Sequence, residues 1–202
     1  MNIVLVAFLS LVLQRPQELL NRAIDDLKNG RIDQSIAGFD NLARLAPDIA
    51  PQLWQRGIAL YYAGRYKECR AQFESHRTVN PNDVENAAWH FLCVARAESP
   101  EKAKAALLPV GPDARIPMAQ VYELFQGKRT PEDVLAAAGN RIEGQFYARL
   151  YLGLYFEAIG NNRLAREHIT AAASARFAAA GGYMHDVAKV HLRILQRRKP
   201  GD

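Results

Sequence analysis

The residues best suited to chemistry lie near the carboxy terminus, where the sequence places His185, Asp186, Lys189 and His191 close together. Histidine and aspartate at such spacing could bind a divalent metal or act as general acid and base. On a helix, however, His185 and His191 are separated by roughly 240° at 3.6 residues per turn. They cannot bind one metal from the same helical face, so we interpret them as ordinary core or surface histidines. A metal-dependent or hydrolytic enzyme that uses this segment is the less favoured alternative.

The other reactive residue types favour packing over catalysis. The chain contains no GxSxG, HExxH, P-loop or GxGxxG motif. Its two cysteines, Cys69 and Cys93, are too far apart in sequence for a zinc site of the CxxC type. Their expected helix positions indicate buried free thiols, although an exported chain could pair them. His76 and His90 are interpreted as packed, hydrogen-bonded residues. We therefore predict no enzyme activity, no metal site and no cofactor.

Composition and charge narrow the classes of fold and partner. Alanine and leucine together number 54 residues, whereas threonine, valine and isoleucine together number 25. Because helices favour Ala and Leu and sheets favour β-branched residues, this bias predicts an all-α protein. The formal net charge is +5, but acidic residues are interleaved with basic ones, as at Glu68 between Lys67 and Arg70. We expect no nucleic-acid partner, since such a partner requires basic residues concentrated on one face.

The amino terminus carries an apolar segment, residues 1–14, with a central run from Ile3 to Leu13. This run is too short to span a bilayer, which takes about 20 residues, so we predict no stable membrane span. Its length suits the core of a secretory signal peptide, but no Lys or Arg precedes it and no A-x-A-like site follows. The alternatives are a first helix that packs on the protein and a misplaced start site. We expect an exported, periplasmic protein if the segment is a signal peptide, and a cytoplasmic protein otherwise.

The chain contains an internal repeat of 34 residues. Aligning residues 17–50 with 51–84 gives eight identities, where unrelated sequences of ordinary composition give about two. The identical pairs are Leu19/Leu53, Arg22/Arg56, Ile24/Ile58, Gly30/Gly64, Arg31/Arg65, Ala37/Ala71, Phe39/Phe73 and Pro47/Pro81. Each unit is predicted to be a helix, a Gly-Arg turn, a second helix and a closing proline. Glycine ends helices in the left-handed conformation, and proline biases the preceding residue away from helix.

These residues resemble the tetratricopeptide repeat (TPR) family. Its pattern has a small residue in the first helix, a turn glycine, a small and then a large apolar residue in the second helix, and a final proline. Unit two supplies Gly57, Gly64, Cys69, Phe73 and Pro81; unit one supplies Ala23, Gly30, Ser35, Phe39 and Pro47; a later hairpin supplies Gly153, Gly160, Ala165 and Ile169. The resemblance implies an all-α, TPR-like superhelix of about ten helices in antiparallel hairpins, closed by a carboxy-terminal capping helix.

We predict a single repeat domain over residues 15–197. It comprises clear units at 17–50 and 51–84, a degenerate unit at 84–108, an irregular insertion at 109–140, a TPR-like hairpin at 143–176 and a capping helix at 183–197. Ser99-Pro100 and Thr130-Pro131 are typical of helix starts, because a capping residue precedes a proline at the first helical position. The small residues from Ala178 to Gly182 predict a loose connection before the capping helix.

The TPR resemblance also implies a function, which is binding of a protein or peptide partner in a concave groove lined by the first helices. Carried over by position, the ligand-facing residues are Trp54, Ile58, Tyr61, Trp89, Tyr147 and Tyr151, with Arg56 and Arg96 as rim charges. The Lys and Asn residues with which some family members grip a carboxylate are absent. We therefore expect a non-catalytic scaffold or adaptor with an apolar, aromatic groove that accepts a peptide or helix. Related proteins of bacterial envelopes assemble other enzymes, a role that export would permit.

Two alternatives to an open groove remain at this point. The apolar inner face could be covered by the insertion at 109–140 or by the carboxy-terminal helix of the same chain. It could also mediate self-association, which would make the protein a structural homo-oligomer. Large exposed apolar patches are rare on monomers, so each alternative has a physical basis.

Overall fold

The computed structural model describes residues 16–197, and all regular secondary structure in that range is helical, as the composition predicts. The helices are α1 (16–28), α2 (Ile32–Leu45), α3 (Trp54–Tyr62), α4 (Tyr66–His76), α5 (Val84–Ala97), α6 (Pro100–Ala105), α7 (Met118–Phe125), α8 (Pro131–Ala138), α9 (Ile142–Ala158), α10 (Asn162–Ala172) and α11 (Ala178–Arg197). Short 3₁₀ turns occupy Pro47–Gln52 and Ala175–Phe177. Sequential helices pack against each other, which confirms an all-α, repeat-like fold. The predicted segment 1–14 lies outside the described residues.

Three hairpins turn through the same backbone geometry. Gly30, Gly64 and Gly160 follow the first helix of each hairpin with φ values of 74°, 73° and 81°. In every case the glycine N–H and the N–H of the next residue donate to carbonyl groups three and five positions earlier in the chain. This pair of hydrogen bonds is the Schellman ending of a helix, which glycine permits because it adopts positive φ without strain. The turn then directs the second helix back along the first.

Glycine in the first helix allows the two helices of a hairpin to approach closely. A Cβ atom on Gly57 in α3 would lie 2.6 Å from Cζ of Phe73 in α4. A Cβ atom on Gly153 in α9 would lie 2.6 Å from Cγ1 of Ile169 in α10. Phe73 and Ile169 are both buried, so each fills the space that the facing glycine leaves. The two hairpins therefore pack in the same way, as the repeat pattern predicts.

The segment between the clear repeats is helical as well. α5 begins after Asp83, whose side chain accepts a hydrogen bond of 3.0 Å from the backbone N–H of Glu85. Ser99 caps α6 and Thr130 caps α8, each immediately before a proline, which confirms both predicted helix starts. The insertion at 109–140 contains the short helices α7 and α8. These helices pack beside α5 and α9 and connect the two halves of the chain.

The carboxy-terminal helix, α11, packs against α10 and α9 and also reaches α3. The Tyr183 ring meets Trp54 of α3 edge to face, with centroids 5.1 Å apart. Further along α11, Nε2 of His191 lies 2.8 Å from Oε2 of Glu157 in α9, and both side chains are buried. Trp54 and Glu157 belong to the first helices of their hairpins, so part of the first-helix side packs against α11.

The start of α11 differs from the loose connection predicted for residues 178–182. The helix already begins at Ala178 and is interrupted at a single residue, Gly182, with φ 48° and ψ −127°. That conformation requires glycine, because a Cβ atom makes it strained. The interruption is a kink that changes the direction of the helix immediately before Tyr183.

The two cysteines are paired, so the expectation of free thiols is wrong. Cys69 in α4 and Cys93 in α5 form a disulfide with a Cα–Cα distance of 5.9 Å. Both residues are fully buried, as their helix positions predict. The missing information was the close packing of α4 against α5, which brings the two Cα atoms within the usual disulfide range of about 4.4–6.8 Å.

The buried apolar residues form two clusters. The smaller one lies in the first hairpin around Phe39 and Leu42. The larger one extends from Leu27 to Leu195 and includes the bulky side chains of Tyr61, Trp89 and Tyr151. Within residues 16–197, no helix is long and apolar enough to cross a lipid bilayer.

Candidate functional site

A pocket of about 240 Å³ lies where α11 meets α3, α4, α5 and α9. We term it the aromatic pocket because five of its lining residues are aromatic: Trp54, Phe73, Trp89, Tyr147 and Tyr183. The other lining residues are His76, Asp83, Glu85, Asn86, Gly181 and Met184. The pocket is therefore formed jointly by four helices, α3, α4, α5 and α9, and by the kinked start of α11.

The aromatic rings are held in place by contacts with one another. Phe73 and Trp89 are nearly parallel, with centroids 6.5 Å apart and an interplanar angle of 17°, and both are buried. Trp54 and Tyr183, which also line the pocket, form the edge-to-face pair described above. Trp54, Tyr147 and Tyr183 remain partly exposed, so they are the aromatic residues that solvent and a ligand can reach.

Carboxyl groups surround Arg115 at one end of the pocket. The Arg115 Nη2 atom lies 2.7 Å from Oδ1 of Asp83 and 2.6 Å from Oδ2 of Asp113, and its Nη1 atom contacts Oε1 of Glu85. The guanidinium carbon is 5.8 Å from the ring centroid of Tyr147. The cluster thus has three carboxyl groups and one guanidinium, so its negative groups outnumber its positive group.

Burial controls the protonation of these groups. It raises the pKa of Glu85, although the positive charge of Arg115 acts in the opposite direction. It also raises the pKa of Tyr147 to about 12 and the pKa of Tyr151, whose hydroxyl donates to Oε2 of Glu85. Burial lowers the pKa of Arg115, but hydrogen bonds and charges from its carboxyl partners outweigh this effect and raise it overall. The tyrosines are therefore neutral hydroxyl groups at physiological pH, and Arg115 stays charged.

Three buried polar atoms of the lining have no hydrogen-bond partner among the described residues. They are Oδ1 of Asn86, Nε1 of Trp89 and the hydroxyl oxygen of Tyr183. The Asn86 side chain is fixed, because its Nδ2 atom donates to the carbonyl of Phe73 at 3.2 Å. A buried polar atom without a partner costs about 1–3 kcal/mol. Residues of the pocket lining therefore carry one acceptor, one donor and one hydroxyl group that form no hydrogen bond within residues 16–197.

The residues predicted to face a ligand fall into two groups. Trp54 and Tyr147 are partly exposed and line the aromatic pocket. Ile58, Tyr61, Trp89 and Tyr151 are at most 2% exposed, and of these only Trp89 contributes to the pocket. These four side chains are therefore packed inside the protein, and the contacts of α11 with α3 and α9 favour the alternative in which the chain's own segments cover the inner face.

The two predicted rim charges, Arg56 and Arg96, lie away from the aromatic pocket. The Arg56 side chain donates to Oδ1 of Asp40 at 2.7 Å and to Oε1 of Gln72 at 3.0 Å, so it connects α2, α3 and α4. Arg96 is exposed and lies over the ring of Tyr66, with 5.8 Å between the guanidinium carbon and the centroid. Neither arginine is among the residues that line the pocket.

The histidines are packed, hydrogen-bonded residues. His76 Nδ1 lies 2.8 Å from the carbonyl oxygen of Pro51, and His185 Nε2 lies 2.9 Å from that of Ser174. Because a carbonyl oxygen only accepts, the histidine nitrogen must carry the proton in each contact. Across residues 16–197, no three His, Cys, Asp or Glu side chains are grouped so that they could hold a metal ion.

The polar residues of the pocket were not among the predicted site residues. Asp83 and Glu85 lie at the start of α5, whereas Asp113 and Arg115 come from the insertion at 109–140. An aspartate two positions before an arginine in the rigid segment after Gly-Pro was the only sequence signal for this cluster. No protein-family model matches the chain. Its function must therefore be inferred from the geometry of the site.

Proposed function

We propose that this protein is a non-catalytic binding module, in which the aromatic pocket accepts one side chain of a partner polypeptide. The observation that carries the proposal is the composition of the pocket, aromatic walls with three unpartnered polar atoms. Concave sites with mostly apolar and aromatic linings and a few converging polar groups are the usual form of ligand sites. Pockets of this kind also receive the anchor residues that dominate the energy of protein interfaces.

The size of the pocket supports a side chain as the occupant. Its volume of about 240 Å³ is below the roughly 300–1,000 Å³ of pockets that enclose whole small-molecule ligands. The partly exposed Trp54 and Tyr147 would contact the partner backbone on either side of the inserted side chain.

We do not propose a whole partner helix as the ligand, because α11 already packs against α3 and α9 on the side of the first helices. The contact between His191 and Glu157 is buried, and Tyr62 in α3 lies beside the His191 ring with 5.6 Å between ring centroids. Displacing α11 would leave the buried Glu157 and His191 without each other. The proposed partner therefore binds at the pocket beside α11 and does not replace it.

The repeat geometry supports membership of the TPR family as part of the proposal. Gly57 against Phe73 and Gly153 against Ile169 reproduce the small-to-large packing of the family pattern. The repeated glycine turns have nearly equal φ values. TPR proteins generally act as binding scaffolds, so the fold and the pocket favour the same function.

The disulfide supports an oxidising compartment for the protein. Disulfides persist in secreted and periplasmic proteins and are rare in the cytosol. Cys69 and Cys93 are both buried and paired, which fits the exported alternative predicted from the amino-terminal segment.

Selection from a displayed library of random peptides tests the proposed function. We expect the wild-type protein to enrich peptides that compete with each other for one site. Tyr147→Ala should lose these peptides, because it removes a partly exposed wall of the aromatic pocket. Tyr155→Ala is the matched control, since Tyr155 is a half-buried tyrosine of the same helix that packs against Phe125 outside the pocket.

The outcomes of the selection are distinct. Peptides lost in Tyr147→Ala and retained in Tyr155→Ala would support binding at the aromatic pocket. Peptides retained equally by both variants, or no enrichment at all, would overturn the proposal. Circular dichroism of both variants confirms that each remains helical before the comparison is made.

A further inference from the structure

We propose that the aromatic pocket selects a basic side chain, arginine or lysine, of the partner polypeptide. The inference rests on the proposed function and adds the chemical class of the ligand. Three independent properties of the pocket lead to it: its aromatic faces, its surplus of carboxyl groups and its unpartnered acceptor.

The aromatic faces favour a cation. Trp54, Tyr147 and Tyr183 are the partly exposed rings, and Trp89 is a buried wall. The face of an aromatic ring carries negative electrostatic potential and attracts ammonium and guanidinium groups, most strongly at tryptophan. The attraction is about 0.5–2 kcal/mol per contact and increases as water is excluded.

The charge balance at the end of the pocket also favours a cation. Asp83, Glu85 and Asp113 share one counterion, Arg115. With every carboxyl ionised the cluster carries a charge of −2, and with Glu85 protonated it still carries −1. A positive side chain in the pocket would reduce this imbalance, whereas an acidic one would increase it. The surplus is notable because the chain as a whole carries +5.

The wall already binds one guanidinium, that of Arg115. It lies over the ring of Tyr147 while contacting carboxylates, which is the same type of contact that a second cation would make with the aromatic and carboxyl groups of the lining. The unpartnered acceptor is Oδ1 of Asn86, a residue that is 2% exposed. Its side chain is held in place by the hydrogen bond from Nδ2 to the carbonyl of Phe73. Arginine and lysine carry N–H donors that match an acceptor in this part of the lining, whereas leucine and methionine carry none.

Titration with short capped peptides tests the inference. The probes are acetyl-Gly-X-Gly-amide tripeptides with arginine, lysine, glutamine, methionine or glutamate at X, together with choline chloride as a free organic cation. Binding is followed by the ¹H–¹⁵N signals of the indole groups of Trp54 and Trp89, which are the two tryptophans of the chain. We expect saturable shifts with arginine or lysine, and dissociation constants at least about tenfold higher for glutamine and methionine. Binding should also weaken as salt is added, since exposed charges are screened.

Two variants test whether the carboxylate of Asp83 contributes to binding of the cation. Asp83→Asn removes one carboxylate but keeps a residue that caps helices well, so α5 should still begin normally. We expect it to weaken binding of the arginine tripeptide about tenfold. Glu98→Gln is the matched control, because it removes a carboxylate from the other end of α5, outside the pocket. It should leave the dissociation constant unchanged.

Each outcome bears on one proposal or on both. If the glutamine or methionine tripeptide binds as tightly as the arginine one, the preference for a cation is overturned while the pocket remains a side-chain site. If no tripeptide gives saturable shifts, the proposed function is overturned together with this inference. Binding of choline without binding of the arginine and lysine tripeptides would overturn a polypeptide as the source of the cation. Equal weakening by Asp83→Asn and Glu98→Gln would overturn the role assigned to the carboxyl surplus.

Discussion

Single residues set the distances between the helices of this protein. Gly57 faces the ring of Phe73 so closely that any side chain at position 57 would need to displace it. Phe73 is 1% exposed and stacks on Trp89, so its ring has little room to move. Because Phe73 and Trp89 both line the aromatic pocket, the size of residue 57 affects the pocket as well as the hairpin.

Gly57→Val should lower the free energy of unfolding by about 1–3 kcal/mol, because it overpacks a closely filled core. Urea denaturation followed by circular dichroism measures the change. Ala63→Val is the control, since residue 63 is exposed at the end of the same helix. An equal loss of stability in both variants would show that β-branching, and not contact with Phe73, is responsible.

Two buried histidines make stability depend on pH. Burial lowers the pKa of His90 below its ordinary value of 6.5, although Glu74 opposes the effect. Burial also lowers the pKa of His168, and the nearby charge of Arg149 acts in the same direction. The unfolded chain therefore takes up protons on these rings at a higher pH than the folded chain does. Above the ordinary histidine pKa of 6.5, both rings are neutral in the folded and the unfolded chain, and the folded state keeps its full stability. This stability is lost as the pH falls from 6.5 through the lowered pKa values of the folded chain.

We expect the free energy of unfolding to decrease as the pH falls below about 6.5, by up to about 1.4 kcal/mol per pH unit for each proton taken up. The double variant His90→Gln/His168→Gln should show a smaller slope over the same interval. Denaturant titrations at a series of pH values measure both slopes. A slope that is the same in the wild type and the double variant would contradict this assignment.

Helices α4 and α5 are joined covalently, by the disulfide between Cys69 and Cys93. The disulfide connects residues separated by 24 positions, so it restricts the unfolded chain over that length. In the chain-entropy account, a loop of this size stabilises the folded state by about 3 kcal/mol.

Reducing the disulfide should therefore lower the free energy of unfolding by about 3 kcal/mol. The measurement is urea denaturation of the same protein with and without dithiothreitol. The variant Cys69→Ala/Cys93→Ala serves as the control and should show no response to the reductant. A wild-type protein that is equally insensitive would argue against the pairing of the two cysteines.

Elements with local signals could be predicted from the sequence, whereas contacts between distant elements could not. The turns at Gly30, Gly64 and Gly160 and the caps at Ser99 and Thr130 depend on a few neighbouring residues, and all of them are present. The position of α11, the disulfide and the Arg115 cluster depend on how remote segments meet. The periodicity of α11 indicated one buried side but carried no information on which helices would cover it.

The whole molecule is closed by contact between its first and last described helices. Lys28 of α1 forms an ion pair of 3.3 Å with Asp186 of α11, and Arg193 donates to the carbonyl of Lys28 at 3.2 Å. In an open solenoid each repeat contacts only its neighbours, so repeats can unfold in sequence. Here α11 bridges the repeats, which favours a single cooperative transition.

We expect the unfolding transitions measured by tryptophan fluorescence and by far-ultraviolet circular dichroism to coincide in urea. Trp54 and Trp89 report on the inner face below α11, and circular dichroism reports on the helices of the whole chain. A fluorescence transition at lower urea concentration would show that α11 detaches before the repeats unfold.

The kink at Gly182 precedes two residues that line the aromatic pocket and that take no part in the hairpin turns. The hairpins depend on glycine turns and small-to-large pairs, none of which involves Tyr183 or Met184. Those two residues nevertheless form one side of the aromatic pocket. Substitutions at positions 183 and 184 would therefore change the lining of the aromatic pocket directly, without altering the glycine turns or the small-to-large pairs. Residues 183 and 184 are therefore the first positions to vary in a design that aims to change the shape of the pocket.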